Sequence, residues 1–326
     1  MIIVTGGAGF IGSALIAKLN ERGCEDILVV DEVDHERKQR NLQPLTYADI
    51  VGIPEFRTRL GSGDYDDAGV DGVLHMGACS ATTELNWEYL QDNNVDYSKE
   101  LITWCATNNA RCVYASSAAT YGDGSSGFSD EHSRFEEFEP LNPYGKSKLL
   151  VDIWARDEGL LKNCAGARYF NVFGPNEWHK GGMRSVINKK FPEITSGQAF
   201  TLFKSDHPDY ADGDQERDFI YVDDAAEVSL WLLENPQANG VFNVGTGVAR
   251  TWNDLASSMY KALDRNEEII YIDMPANLKN RYQYHTQADV SKLRAAGYSK
   301  DFSSLENSIQ DYVRNFLLPD LHLREE

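Results

Sequence analysis

Two hydrophobic periods alternate along this chain. Met1-Ile2-Ile3-Val4 is an apolar run of strand length, Thr5 to Gly9 offers little to bury, and from Phe10 the apolar positions recur at helical spacing through Ile11, Leu15, Ile16 and Leu19. The pattern predicts a strand, a glycine loop and a helix. A second unbroken run, Ile27 to Val30, ends in Asp31, and a polar stretch follows from Asp34 to Arg40. Further strands are predicted at 71–75, 111–117 and 166–171, with helices over 93–107 and 144–157. Apolar strands separated by helical segments imply an α/β fold, a doubly wound and mostly parallel Rossmann sheet.

The rhythm breaks at Val172. Gly174-Pro175-Asn176, Gly181-Gly182 and the polar run from Lys204 to Gln215 read as loops. It returns once, in a strand at 219–224, a helix at 225–233 and a strand at 240–245. We therefore expect residues 1–170 and 218–246 to form the dinucleotide-binding domain. A smaller, discontinuous α+β substrate domain takes 171–217 and 247–326.

Length agrees, because 326 residues exceed the usual size of one core. A formal charge of −20 argues against a nucleic-acid or membrane surface. The five cysteines, Cys24, Cys79, Cys105, Cys112 and Cys164, have neither CxxC nor zinc-ligand spacing and read as reduced thiols, with no metal site expected. The first residues have no basic region ahead of their apolar run, so no removable signal is expected and the compartment is read as cytoplasmic.

The chemistry concentrates in three strings. Gly6, Gly9 and Gly12 stand three apart between strand and helix, where backbone N–H groups can approach a pyrophosphate, and Asp31 follows about 20 residues on, where such a fold binds a ribose hydroxyl. Tyr144 and Lys148 lie one turn apart on a predicted helix opened by Asn142-Pro143. A phenol titrates near pH ~10, so a base at neutral pH needs a nearby cation, and Lys148 with an oxidised nicotinamide is expected to lower Tyr144. Ser116-Ser117 ends a strand and offers hydroxyls to a substrate oxygen.

With these strings on the page, the chain resembles the extended short-chain dehydrogenase/reductases, in the NAD-dependent epimerase/dehydratase family. It is similar, more narrowly, to their ADP-heptose 6-epimerases. That likeness rests on the run from Gly77 to Glu84, Asp92-Asn93-Asn94, the run from Tyr169 to Pro175, His179-Lys180-Gly181, Arg217-Asp218-Phe219, Arg281-Tyr282-Gln283 and the run from Thr286 to Asp289, and covers Met1 to about Phe316.

The resemblance implies an isomerase that inverts C6 of an ADP-linked heptose, a precursor for lipopolysaccharide core, by transient oxidation and reduction with bound NADP. Tyr144 and Lys180 would be acid/bases on opposite faces of the carbon, Ser117 would polarise the oxygen, and Lys148 would tune Tyr144 and hold the ribose. Gly6, Gly9, Phe10, Ile11, Gly12, Asp31, Glu32, Lys38, Met76, Gly77, Ala78, Cys79, Ser80 and Asn93 would hold the cofactor. Asn171, Val172, Phe203, Ser205, Arg217 and Tyr282 would contact the sugar nucleotide, with Arg217, Lys180 and Arg281 supplying local positive charge. It also implies a homo-oligomer, often a pentamer.

The string departs from that pattern at four residues and in the length of Phe200 to Gln215, longer than usual, which also keeps the sugar open. Glu32 replaces an uncharged Asn and Ile53 a lysine, which keeps NAD open as the cofactor. Gly182 replaces a serine and Lys189 a histidine, which keeps another nucleotide sugar open, such as the substrate of a UDP-hexose 4-epimerase.

Overall fold

Ile3, Val4, Ile27, Val29, Val73, Leu74 and Val113 have no solvent-exposed surface, as expected of strands covered on both faces. The computed structural model describes residues 1–33, 35–279 and 282–325, so Asp34 and Arg281 lie outside the described residues. Its strands begin with β1 (Ile2–Thr5), β2 (Ile27–Val30), β3 (Asp49–Val51), β4 (Gly72–His75), β5 (Arg111–Ser117) and β6 (Cys164–Tyr169). They continue with β7 (Asn171–Phe173), β8 (Phe200–Phe203), β9 (Glu216–Tyr221), β10 (Gly240–Val244), β11 (Ala249–Thr251) and β12 (Ile269–Ile272). The main sheet has the order β10-β6-β5-β4-β1-β2-β3, and all its pairs are parallel.

The chain reverses its direction of winding between β1 and β4, the point where such sheets open a crevice beyond their carboxyl ends. Two loops meet there so closely that a Cβ on Gly6, whose φ is +65°, would stand 2.8 Å from the Gly77 amide nitrogen. Only glycine fits at that position.

The helices are α1 (Phe10–Glu21), α2 (Glu36–Leu42), α3 (Ile53–Ser62), α4 (Trp87–Leu90), α5 (Tyr97–Thr107), α6 (Pro143–Asp157), α7 (Val186–Thr195), α8 (Val222–Glu234) and α9 (Trp252–Ala262), followed by the short α10 (Ala276–Lys279), α11 (Ser291–Ala295) and α12 (Leu305–Asp311). One core joins α1 and α8 to a face of the sheet, and a second joins α3, α5 and α6 to the other. Each fully buried Leu or Ile there contributes about 1.5–3 kcal/mol. A third core, built on Ile187, Phe200, Phe219, Leu255, Met259 and Ile309, holds the smaller lobe. Among the described residues no helix is long and apolar enough to cross a membrane.

Three differences from the sequence reading have local causes. The polar stretch after Asp31 becomes α2, and β3 and α3, too short or too polar to stand out by period, complete that edge. The strand expected at 166–171 divides at Phe170 into β6 and β7. The strand expected at 219–224 ends at Tyr221 as β9, with Val222 to Asp224 opening the next helix, and it pairs with β7 and β11 in a separate three-stranded sheet.

Candidate active site

The loop after β1 is shaped by its glycines. A Cβ on Gly12 would lie 2.0 Å from the Gly6 carbonyl oxygen, so the first turn of α1 can close over the loop only without one. Phe10 and Ile11 open that helix. Asp31, at the end of β2, is buried; its Oδ2 accepts the Ala8 amide at 3.0 Å and its Oδ1 meets Lys38 Nζ at 2.7 Å. Glu32 turns outward, and its Oε1 accepts the Ile53 amide at 2.8 Å.

Across the crevice, the loop after β4 carries Met76 to Ser80. Gly77 donates its amide to Thr5 Oγ1 at 3.0 Å, and Met76 Sδ lies 3.4 Å from the Tyr169 hydroxyl. Cys79 is bound at both backbone atoms by the Asn94 amide, at 2.8 and 3.0 Å. Asn94 reaches it because Gln91–Asp96 winds as a π-helix that turns this side chain fully inward. Asn93 beside it stays half-buried and donates to Asn94 Oδ1 at 3.3 Å. No side-chain bond of Ala78 or Ser80 fixes either of them among the described residues. A cradle that excludes Cβ atoms at the topological switch, with a carboxylate at the end of β2, fits an NAD-type dinucleotide.

Helix α6 starts where the sequence directs it. The Asn142 side chain caps the Gly145 amide at 2.8 Å and Pro143 occupies the first turn. That start aims Tyr144 and Lys148 at the carboxyl end of β5. Burial raises the Tyr144 phenol above its usual value, and the Ser117 side chain pulls it down. Lys148 donates its Nζ to the Ala115 carbonyl at 2.9 Å and makes no direct hydrogen bond to the phenol. Burial lowers Lys148 to about 8, against the opposing pull of Asp152. Ser117 Oγ accepts the Ala119 amide at 3.2 Å, which leaves its hydroxyl proton for another acceptor.

Lys180 comes from the other side. It lies on the turn Trp178–Met183, with its ammonium 5.0 Å from the Phe10 ring centroid, against the first residue of α1. Burial lowers it, with Glu177 opposing. Glu177 is fully buried and anchors that turn through the Ser185 hydroxyl at 2.6 Å and the Tyr312 hydroxyl at 3.0 Å. Thr82 Oγ1 approaches Met183 Sδ at 3.9 Å, so the Lys180 turn touches the loop that carries Cys79.

A second group lies in the smaller lobe. The Arg217 guanidinium, almost wholly buried, packs 5.1 Å from the Tyr282 ring and 5.8 Å from the Trp252 ring, and Phe203 meets Tyr282 edge-on at 6.3 Å. It donates to the Glu216 carbonyl at 2.7 Å and forms no ion pair with Asp218, whose carboxylate is taken up by Thr246, Gly247 and Ala288. A buried cation with no acid partner among the described residues suits an anionic ligand. Asn171, exposed, and Val172 on β7 join the two groups through the pairing of Asn171 with Phe219 on β9. Ser205 is turned inward on its own loop, bonded to His207 and Asp212. Arg281, which the sequence adds to this positive charge, lies outside the described residues.

Sequence reasoning gave no role to Asn41, Asp152 or Arg168, and quoted Asn94 only within Asp92-Asn93-Asn94. Asp152 sits two turns beyond Tyr144 on α6, fully buried, and accepts from Ser116 Oγ at 2.7 Å, the Tyr114 hydroxyl at 3.0 Å and Arg168 at 2.6 Å. The spacing of Tyr144, Lys148 and Asp152 at successive turns of one helix face was the available signal.

The family model described as the NAD dependent epimerase/dehydratase family matches residues 2–245. ADP-L-glycero-D-manno-heptose-6-epimerase of Nitratidesulfovibrio vulgaris, strain Hildenborough, is 53% identical over 326 residues, covering 99% of this chain and 100% of that protein. Two solved structures are similar along their whole length. The UDP-N-acetylglucosamine 4-epimerase of Methanobrevibacter ruminantium M1 has a TM-score of 0.80 at 26% identity, covering 98% of each chain. The ADP-L-glycero-D-manno-heptose-6-epimerase of Helicobacter pylori has a TM-score of 0.79 at 27% identity, covering 96% of this chain and 95% of that one.

Proposed function

This chain belongs to the NAD dependent epimerase/dehydratase family, and from that premise we propose that it inverts C6 of the heptose in ADP-D-glycero-D-manno-heptose to give ADP-L-glycero-D-manno-heptose. The relatives' shared name supports the sugar. Lys180 against Phe10 carries the mechanism, since a second acid/base beside the dinucleotide loop is what inversion at a side-chain carbon needs and a 4-epimerase does not.

Gly6, Gly9, Gly12, Phe10, Ile11 and Asp31 hold the dinucleotide at one side of the crevice in this reading, and Met76 to Ser80 with Asn93 at the other. Bound there, it supplies a reversible hydride acceptor. Tyr144 takes the C6 hydroxyl proton during oxidation, while Ser117 donates to the same oxygen as its charge changes. Lys148 fixes the ribose and supplies positive charge near the phenol. Lys180, on the opposite face, gives its proton to the C6 oxygen as the ketone is reduced again, and burial eases the loss of that proton. Arg217, Tyr282 and Phe203 hold the nucleotide diphosphate, with Asn171, Val172 and Ser205 along the connecting edge. Residues 171–217 and 247–326 then act as the substrate domain.

For the dinucleotide we propose NAD over the NADP that the sequence resemblance implies. Lys38 is already paired with Asp31 at 2.7 Å, so the lysine nearest the end of β2 is committed before a 2′-phosphate could use it. Mass spectrometry of the dinucleotide released from purified protein reads this directly; NADP as the main species rejects it.

The function is tested by proton NMR of the protein with ADP-D-glycero-D-manno-heptose and no added cofactor, with absorbance followed at the reduced-nicotinamide band. The L-glycero epimer should appear without net reduced cofactor. No conversion by protein shown to carry dinucleotide rejects this sugar and moves the search to UDP-hexoses.

A further inference from the structure

Asn41, on α2, is fully buried and uses both ends of its amide. Its Nδ2 donates to the Ala8 carbonyl in the glycine loop at 3.0 Å and to the Asn176 carbonyl at 3.1 Å, with His179 Nδ1 at 3.3 Å. Carbonyl oxygens only accept, so the amide nitrogen must face them and Oδ1 must face the other way. There it meets His322 Nδ1 at 2.7 Å, which is therefore the protonated ring nitrogen.

His322 is almost wholly buried and belongs to the segment 319–325, which is tied down along its length. Leu323 donates its amide to Asn176 Oδ1 at 3.0 Å. Arg40 grips the Glu325 carboxylate through Nε and Nη2, both at 3.0 Å, and reaches Asp320 at 3.1 Å. Asn176 Nδ2 in turn donates to Ser13 Oγ, in the first turn of α1, at 3.0 Å. Three segments meet at one side chain: the dinucleotide loop, the turn leading through His179 to Lys180, and residues 319–325.

From this convergence we propose that Asn41 and His322 are positioning residues that latch the dinucleotide loop to the Lys180 turn and hold the dinucleotide in place through the reaction. The proposal rests on the functional reading above. Ala8 is the point of leverage. Its amide is fixed by Asp31 and its carbonyl by Asn41, so the loop's conformation is set from both sides by bonds of 3.0 Å. An enzyme that returns the hydride to the molecule it came from has no use for cofactor release between the half-reactions. A latch spanning loop and acid/base turn serves that requirement.

The test uses the full chain with its dinucleotide, the variants His322→Ala and His322→Asn, and a chain stopped after Leu318. Asparagine keeps an N–H near the position of Nδ1; alanine does not. Dinucleotide retained after gel filtration is measured, with turnover before and after adding it back. His322→Ala and the shortened chain should release dinucleotide on the order of tenfold faster, the scale of one buried hydrogen bond, and regain turnover when it is supplied. His322→Asn should behave as the parent. Parent-like retention in the shortened chain overturns the latch, and so does a loss of turnover that added dinucleotide does not restore. A parent chain that never carries dinucleotide contradicts the functional reading instead.

Discussion

Lys148 turns its ammonium to the Ala115 carbonyl, 2.9 Å away, and not to Tyr144, which lies one turn earlier on the same helix. The phenol is left to Ser117, the one group among those acting on it that favours its ionised form. In the proposed reaction its activation rests on that contact, on the Lys148 charge acting through space and on the positive charge of an oxidised nicotinamide. Tyr144→Phe keeps the ring and removes the proton-accepting oxygen. Turnover should fall about 10²- to 10⁴-fold while the purified variant still carries dinucleotide, both read from one preparation. Unchanged turnover removes Tyr144 from the reaction.

The same lysine sets a pH limit. Burial lowers Lys148 to about 8 from the ordinary lysine value of 10.5, so the folded state disfavours its charged form. Below about 8 the charge is present in both folded and unfolded chains and the burial cost is carried in full. As pH rises from about 8 towards 10.5, the unfolded chain binds more protons and that cost is relieved. Activity runs the other way, since an uncharged Lys148 supplies no field at the phenol. The kcat/KM of the dinucleotide-loaded enzyme should show an alkaline limb with a midpoint near 8. A flat profile from pH 7 to 9.5 contradicts the role of its charge.

Arg217 is held by two rings and one backbone carbonyl, and its donors have no acid partner among the described residues. In the proposed complex they bind the diphosphate, an interaction present before and during the reaction. Arg217→Met keeps much of the packing and loses the charge. KM should rise roughly 10- to 100-fold with kcat nearly unchanged, as expected when one charge-assisted contact of about 1.5–3 kcal/mol is removed uniformly. A drop in kcat at constant KM places Arg217 in the chemistry instead.

What the string disclosed depended on whether its signal was local. β1, the glycine loop and α1 stood out because period, glycine spacing and the distant Asp31 all agree with one another. Tyr144, Lys148 and Ser117 were legible because a capped helix start and a strand end fix them within short stretches. Asn94 was not, since its inward turn comes from a π-helix that no period announces. Asn41 was not either: its partners Ala8, Asn176 and His322 are far apart in the chain, and an asparagine in a polar helix reads as solvated. The placement of β9 in the small sheet was hidden for the same reason, because a strand's own residues do not name its neighbours. Lys148's turn towards Ala115 depends on a backbone carbonyl, which carries no sequence signal at all.

Asp152 and Arg168 give the sharpest test of how the catalytic strand is held. Both side chains are wholly buried; Arg168 Nε and Nη1 have no hydrogen-bond partner among the described residues, and the guanidinium lies 4.7 Å from the Tyr121 ring and 4.9 Å from the Phe135 ring. Those ring faces ease the charge but do not neutralise it, so Asp152 is its only counter-ion among the described residues. Asp152→Ala leaves the cation unpaired and strips the acceptor from Tyr114 and Ser116, the neighbours of Ala115 on β5. It should cost about 3–5 kcal/mol of stability, seen as a lower urea midpoint. Replacing both partners, Asp152→Leu with Arg168→Met, removes the stranded charge and should recover part of that loss even though the two hydroxyls stay unpaired. If the double variant is as unstable as the sum of its single changes, the pair acts as two independent packing residues and the buried charge does not govern this part of the core.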